Sequence, residues 1–365
     1  MRVNHQLEPL SEAQTEQTTR RDRLANMFAR PRAWHWLRWG LLALVLLLAL
    51  LGPGYLGDYN LTLAFALFNY ITMAQAWNLV GGYGGQFSLG HSLFVGAGAY
   101  TVSVLLLHTG LPLYLIILLS GVLASALASI AALLLMRLRE AYFSIGSLGL
   151  TMAALTWMIN WSYTGQTEGL NLPPTATLDY STLYYLSLAL LVLTMTSVAL
   201  LVRSSFGLRL MAIRDDAEAA AELGVNSFTV KLATFAISAF FIGLAGALIA
   251  LNNISIEPYS MFSMDWVTTM IIITVIGGIS TSTGPLIGAV VFFTLQQTLQ
   301  GYQNLSTLLT GFLLILIIRL MPEGIWVTLL KMHRWLVQDV FKGLKRASQE
   351  PAQPQDMDKT YEQKG

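Results

Sequence analysis

The sequence predicts an all-α polytopic membrane protein with about ten transmembrane segments and both termini in the cytoplasm. Three observations predict it. Charged residues make up 11% of the 365 and apolar residues 55%, whereas a soluble domain spends about a quarter of its residues on charges. Apolar stretches recur at close to the ~20 residues that a ~30 Å hydrocarbon core requires. All 21 Lys and Arg fall on one side of the alternation that those stretches create. The low charge and the mean hydropathy of +0.58 exclude a disordered chain, a nucleic-acid binder with a basic stripe and an ordinary cytosolic enzyme.

Seven basic residues precede Leu41, six of them within residues 1–37. Residues 1–37 are too long and too charged for a signal n-region, and no small-residue cleavage site follows Leu51, so they read as a retained cytoplasmic extension. The membrane domain spans 38–320. Its segments read as 38–56, 60–80, 93–108, 112–136, 142–161, 182–202, 229–252, 266–279, 285–300 and 304–320. The segments 266–279 and 285–300 are short, and a single re-entrant hairpin is the alternative for that pair. With the N-terminus inside, the outer connections 57–59, 109–111, 162–181, 253–265 and 301–303 contain no Lys or Arg. The acids Asp58, Glu168, Asp179, Glu257 and Asp265 lie outside or near the outer surface. Positive charge kept to one face sets orientation. The tail, 321–365, combines an amphipathic interfacial stretch over 326–344 with a polar end.

Several functions are closed by composition. There is no Cys, hence no disulfide, thiolate nucleophile or Cys-based metal site. The five His lack helical metal-site spacing. No Asp, Glu, Lys or Arg sits mid-span, which argues against a proton relay. Polar residues within the spans are Asn69, Gln75, Asn78, Asn160, Gln296 and Gln297; helix–helix glue is the default reading for each, and solute contact the alternative. Ala239, Gly243 and Ala247, four apart, make a strip for close helix packing.

Two stretches break the helical pattern. Residues 81–92 (GGYGGQFSLGHS) hold five Gly, and 277–288 (GGISTSTGPLIG) hold four Gly and Pro285. Backbone freed from a helix at membrane depth must be buried in protein or line a water-filled path, and paired Gly-interrupted segments point to a transporter pathway. Gly85, Gln86, Ser88, Gly90, His91, Gly277, Gly278 and Gly284 are the candidate path residues. A plain cytoplasmic turn is the competing reading of 81–92, and a satisfied loop histidine that of His91.

The inner loop 203–228 (RSSFGLRLMAIRDDAEAAAELGVNSF) predicts a short helix over 217–223. Asp215 or Asp216 serves as N-cap and Gly224 as the stop. At about two and a half turns, ~13 Å from cap to stop, it cannot cross a membrane. Asp215, Glu218 and Glu222 share one face, and Ala217, Ala220, Ala221 and Gly224 the other. Such a rod suits docking into a groove on another protein; a solvated connector is the plain alternative.

Glu218-Ala219-Ala220 followed by Gly224 resembles the EAA loop of ATP-binding-cassette importer permeases. Arg214-Asp215 before it and 239–246 after it resemble the branched-chain amino acid permease branch. So do Gly84-Gly85-Gln86-Phe87-Ser88-Leu89-Gly90-His91 and Gly277-Gly278 with Gly284 and Gly288. The resemblance covers about 60–325. The apolar-Leu-Pro ending found after the EAA element in many other importers is absent here. The resemblance implies a permease subunit in a bacterial inner membrane, importing branched-chain or other apolar amino acids. Arg214, Asp215, Glu218, Ala219, Ala220 and Gly224 would then couple it to ATPase subunits, which hold the ATP and Mg. It also implies a second permease subunit, identical or sister, and an extracytoplasmic solute-binding protein. The chain itself would bind no cofactor, and no GxxxxGK[ST] run exists to cradle a nucleotide. A urea or short-chain amide permease, an ion-coupled secondary transporter and a membrane enzyme built on the acids of 215–222 are the alternatives, in descending order.

Overall fold

In a computed structural model of the protein, residues 49–138, 140–173, 178–299, 311, 319 and 324–328 are described. Most of the first expected span (38–48), nearly all of the last (304–320) and most of the tail lie outside the described residues. Two compact units divide the chain after Gly57. In the first, residues 49–51 are helical and run into a 3-10 turn at Gly52–Gly54.

The second unit is built on helices whose bounds follow the apolar stretches closely. They are α1 (Asp58–Asn78), α2 (Ser92–His108), α3 (Leu113–Leu135), α4 (Glu140–Asn160) and α5 (Tyr180–Arg203). After the loop that follows α5 come α8 (Ser227–Asn253), the single turn α9 (Pro258–Met261), α10 (Met264–Gly277) and α11 (Gly284–Leu299). Among the described residues, five helical stretches are long and apolar enough to cross a membrane: α3, α4 from Ala141, α5, α8 and the run Pro258–Gly277. The shorter α2 and α11 are also apolar. Although 21 residues long, α1 is not among the five; Asn60, Asn69, Gln75 and Asn78 lower its hydropathy.

The central helix is α8, 72% buried over its apolar window, against 17% for α4. Small residues make that burial possible. A Cβ on Gly98 of α2 would collide with the Gly243 carbonyl, and one on Gly243 would meet Ala124 of α3. The strip of small residues on α8 is therefore used for backbone-level packing. The outward faces of α3, α4 and α5 carry Leu118, Leu134, Ile145, Trp157 and Leu200, all exposed. Contiguous apolar surface on this scale fits a lipid environment. At the C-terminal end of α2, His108 stacks on Tyr163 at 4.4 Å, and Trp161 and Trp157 continue the series, the aromatic character expected at a membrane interface.

The loops after α4 and α8 pair with each other. Strand β1 (Leu170–Asn171) lies antiparallel to β2 (Ser255–Ile256), with Leu170 opposite Ile256 and Asn171 opposite Ser255. Leu172 N–H extends the ribbon to the Ile254 carbonyl at 2.7 Å.

Candidate functional site

The loop after α5 folds into two helices. Ser204 caps the first, α6 (Ser205–Asp215), by accepting from Phe206 N–H. Asp216 then ends α6 and starts α7 (Ala217–Glu222), its Oδ1 accepting from Glu218 and Ala219 N–H at 3.0 Å each. Of the two expected caps, Asp216 takes the role. At the other end Val225 N–H reaches the Ala220 carbonyl and Gly224 N–H the Ala221 carbonyl, with Gly224 at φ +82. This paired closure requires a left-handed residue, and glycine adopts that conformation without strain.

Six residues give α7 a length of about 9 Å. Ala220 alone of α7 is buried; it joins a cluster with Leu79, Tyr83, Val198, Leu210, Ile213 and Val230. Ala217, Glu218, Ala219, Ala221, Glu222 and Gly224 are exposed, and Leu223 is 84% exposed. The acidic face and most of the small face therefore both stand free, with one methyl group holding the rod to the body.

Arg214 and Asp215, at the end of α6, form the one salt bridge among the described residues, Nη2 to Oδ1 at 2.8 Å. Nε of Arg214 donates to the same oxygen at 3.0 Å, and Nη1 donates to Ser280 Oγ at 3.1 Å. The arginine stem lies on Gly85, where an added Cβ would stand 2.6 Å from Cγ; Gly85 is also left-handed, φ +67. One side chain thus touches both glycine-rich stretches.

Those two stretches are joined directly as well. Past Asn78, α1 widens into a π-helical turn, Leu79–Tyr83. Asn78 Nδ2 donates to the Thr281 carbonyl at 3.0 Å, and its Oδ1 accepts from Ser280 N–H at 3.0 Å. Ser280 Oγ donates to the Gly82 carbonyl at 2.7 Å, and Tyr83 pairs with Ser282 at 3.0 Å. Sequence reading singled out both stretches but not this bond between them, nor the part Arg214 and Asn78 play in it; the partners lie about 200 residues apart.

The remaining candidate path residues are placed as follows. Ser88, in the irregular segment after the π-helical turn, accepts through its carbonyl from Trp77 Nε1–H at 2.9 Å. Gln86 is buried beside Met136, 3.1 Å from its sulfur. Gly90 presses on the backbone of Ser147, and its carbonyl accepts from Thr151 Oγ1. His91 is fully buried, 3.2 Å from Ser238 Oγ and edge-on to Phe94 and Phe235. Gly277, Gly278 and Gly284 are buried where α10 and α11 meet backbone to backbone. Among the described residues no group of His, Asp or Glu could hold a metal ion.

Apolar helices with exposed apolar flanks and buried small-residue seams define a multi-pass, mostly helical membrane protein. Residues 59–318 match the family model described as branched-chain amino acid transport system / permease component, and the chain belongs to that family. It is 26% identical over 314 residues to the high-affinity branched-chain amino acid transport system permease protein LivM of Escherichia coli K12, covering 78% of this chain and 74% of that protein. The LivM protein of Salmonella typhimurium LT2 is likewise 26% identical, over 77% and 73%. No solved structure matches the chain.

Proposed function

We propose that the chain is the membrane-spanning subunit of an ATP-driven importer for branched-chain or other apolar amino acids. It sits in a bacterial inner membrane with ten crossings and both termini cytoplasmic. The observation that carries the reading is α7: a rod capped at both ends, exposed on nearly every side and backed by a single buried methyl group. In a chain of this family, such an element is where a partner ATPase grips. The sister or identical permease completes the membrane pair, and the ATP and Mg belong to the ATPase subunits.

The mechanism follows from what α7 is joined to. Closure of the ATPase subunits on ATP displaces α7 as a unit, because Asp216 and Gly224 close its ends. Ala220 carries that displacement into the cluster of Leu79, Val198, Leu210 and Val230, which belongs to the inner ends of α1, α5, α6 and α8. Arg214 carries it to Gly85 and Ser280, and so to the turn joining α10 to α11. Helices that open inward are moved together. A solute-binding protein delivers from the opposite face, where the β1–β2 ribbon and the acids Glu168 and Glu257 lie.

Uptake by the whole assembly in proteoliposomes tests the proposal. Leucine entry that requires ATP, the ATPase subunits and the binding protein is the expected result. Urea entry without leucine entry would overturn the solute class. Leucine entry by this chain alone on an ion gradient would overturn the ATP-driven mechanism.

A further inference from the structure

Asn69, Thr72 and Gln75 form a strip on α1 that the packing does not explain. All three are buried, at 2%, 0% and 0% exposure. Asn69 donates through Nδ2 to the Phe65 carbonyl of its own helix, but its Oδ1 has no partner. Thr72 Oγ1 has none, and both polar atoms of Gln75 have none. A buried polar group without a partner bears the full loss of its hydration, and an apolar side chain of the same size would avoid that loss. Four unpartnered atoms on two turns of one helix mark a place where hydrogen bonds are made to something other than this chain's resting packing.

Neighbouring contacts locate the strip. Phe68 meets Tyr184 of α5 at 5.3 Å. Further along, Ala74 shares a cluster with Leu191 and then Leu79 with Val198, so α1 and α5 run parallel. Residues three, four and seven apart share a helix face. Thr72 and Gln75 therefore follow Phe68 on the side turned to α5, where Ser187 and Thr194 are themselves buried. Ser238 of α8 donates to the Ala76 carbonyl at 2.7 Å, which sets α8 at the strip's other edge; Asn69 and Thr72 precede Ala76 by seven and four. The strip lies in the seam of α1, α5 and α8, beginning at the middle of α1 and running about 9 Å toward its inner end. The inner ends of these same three helices meet in the cluster under α7.

We infer that this seam is the solute path and that Asn69, Thr72 and Gln75 receive the ammonium and carboxylate groups of the amino acid when α1 and α5 part. This rests on the proposed function and deepens it. The chemistry suits a zwitterion: the Gln75 amide donates to a carboxylate and accepts from an ammonium, Asn69 Oδ1 accepts, and the Thr72 hydroxyl does both. Such a neutral set holds both charges without burying a fixed charge of its own, which agrees with the absence of Asp, Glu, Lys and Arg from the middle of this helix.

The test is the reconstituted whole assembly carrying Gln75→Leu, Thr72→Val or both, with Gln75→Asn as the conservative variant. Leucine uptake is expected to fall at least tenfold in Gln75→Leu and further in the double variant. The unfolding temperature should stay level or rise, and ATP hydrolysis without solute should persist; Gln75→Asn should recover part of the uptake. Unchanged uptake in the double variant, beside a wild-type assembly that transports leucine, overturns the seam and leaves the importer reading standing. A fall in uptake matched by a fall in unfolding temperature shows a structural role and overturns it too. A wild-type assembly that moves no amino acid removes both readings at once.

Discussion

Asn78 and Gln75 are amide side chains three residues apart on the same helix, and both are fully buried. Asn78 is satisfied on both sides by the backbone of Ser280 and Thr281, and its oxygen fills the place that a Cβ on Gly82 would need. Gln75 touches no partner with either polar atom. The first is a fastening that locks the end of α1 to the turn between α10 and α11. The second is hydrogen-bonding capacity held in reserve. Burial and residue type are the same in the two cases, so neither tells which role a polar residue in a membrane helix plays. The partner count does.

The matched substitution to Leu is the strongest way to break this comparison. Asn78→Leu strands the Ser280 N–H and the Thr281 carbonyl, both half-buried, at about 1 kcal/mol for each. A clear drop in unfolding temperature is expected in purified protein, where Gln75→Leu causes none. Equal drops in the two would erase the distinction between fastening and reserve.

A smaller effect is expected at Gly85. Alanine there must hold a left-handed backbone, at about 1–2 kcal/mol, and must also displace the Arg214 stem. Thermal unfolding of Gly85→Ala measures the sum, and an unshifted transition would mean that Arg214 does not rest on Gly85. The smallest stability change belongs to Arg214→Lys. Its ion pair is largely solvated, so the loss should be under about 1 kcal/mol. Lysine keeps the charge but cannot reach Asp215 and Ser280 together as the planar fork does. Leucine moved per ATP should therefore fall severalfold while folding is kept, which separates transmission from stability.

Much of the fold was legible because its cause is local. The segments expected at 93–108, 112–136, 182–202 and 229–252 coincide with helices to within two residues, since apolar length is itself the signal. The ends of α7 were legible in Asp216 and Gly224, residues with special backbone chemistry. By contrast α6 was missed: Ser205–Asp215 mixes apolar and basic residues without a clear period, and Ser204 was the one available sign. Two-residue strands carry no alternation, so the ribbon at Leu170 and Ser255 left no pattern to read. The path residues proposed from glycine content, among them Gln86, Ser88 and His91, sit in packed surroundings. His91 Nδ1 is itself among the buried atoms without a partner, and the densest run of such atoms lies on α1, at two positions that looked like ordinary glue and at Thr72. Telling Asn78 from Gln75 needs the position of residues about 200 further along the chain, which no local pattern encodes.

Because the chain contains no Cys, Leu223→Cys introduces a single reactive thiol at a highly exposed point beside α7. Its rate of maleimide labelling, with and without the bound ATPase subunits, tests most directly whether a motor grips this helix. Rapid labelling of the permease alone and strong protection in the assembled, nucleotide-bound complex is the expected result. An equal rate in both, in a complex shown to hydrolyse ATP, would contradict it.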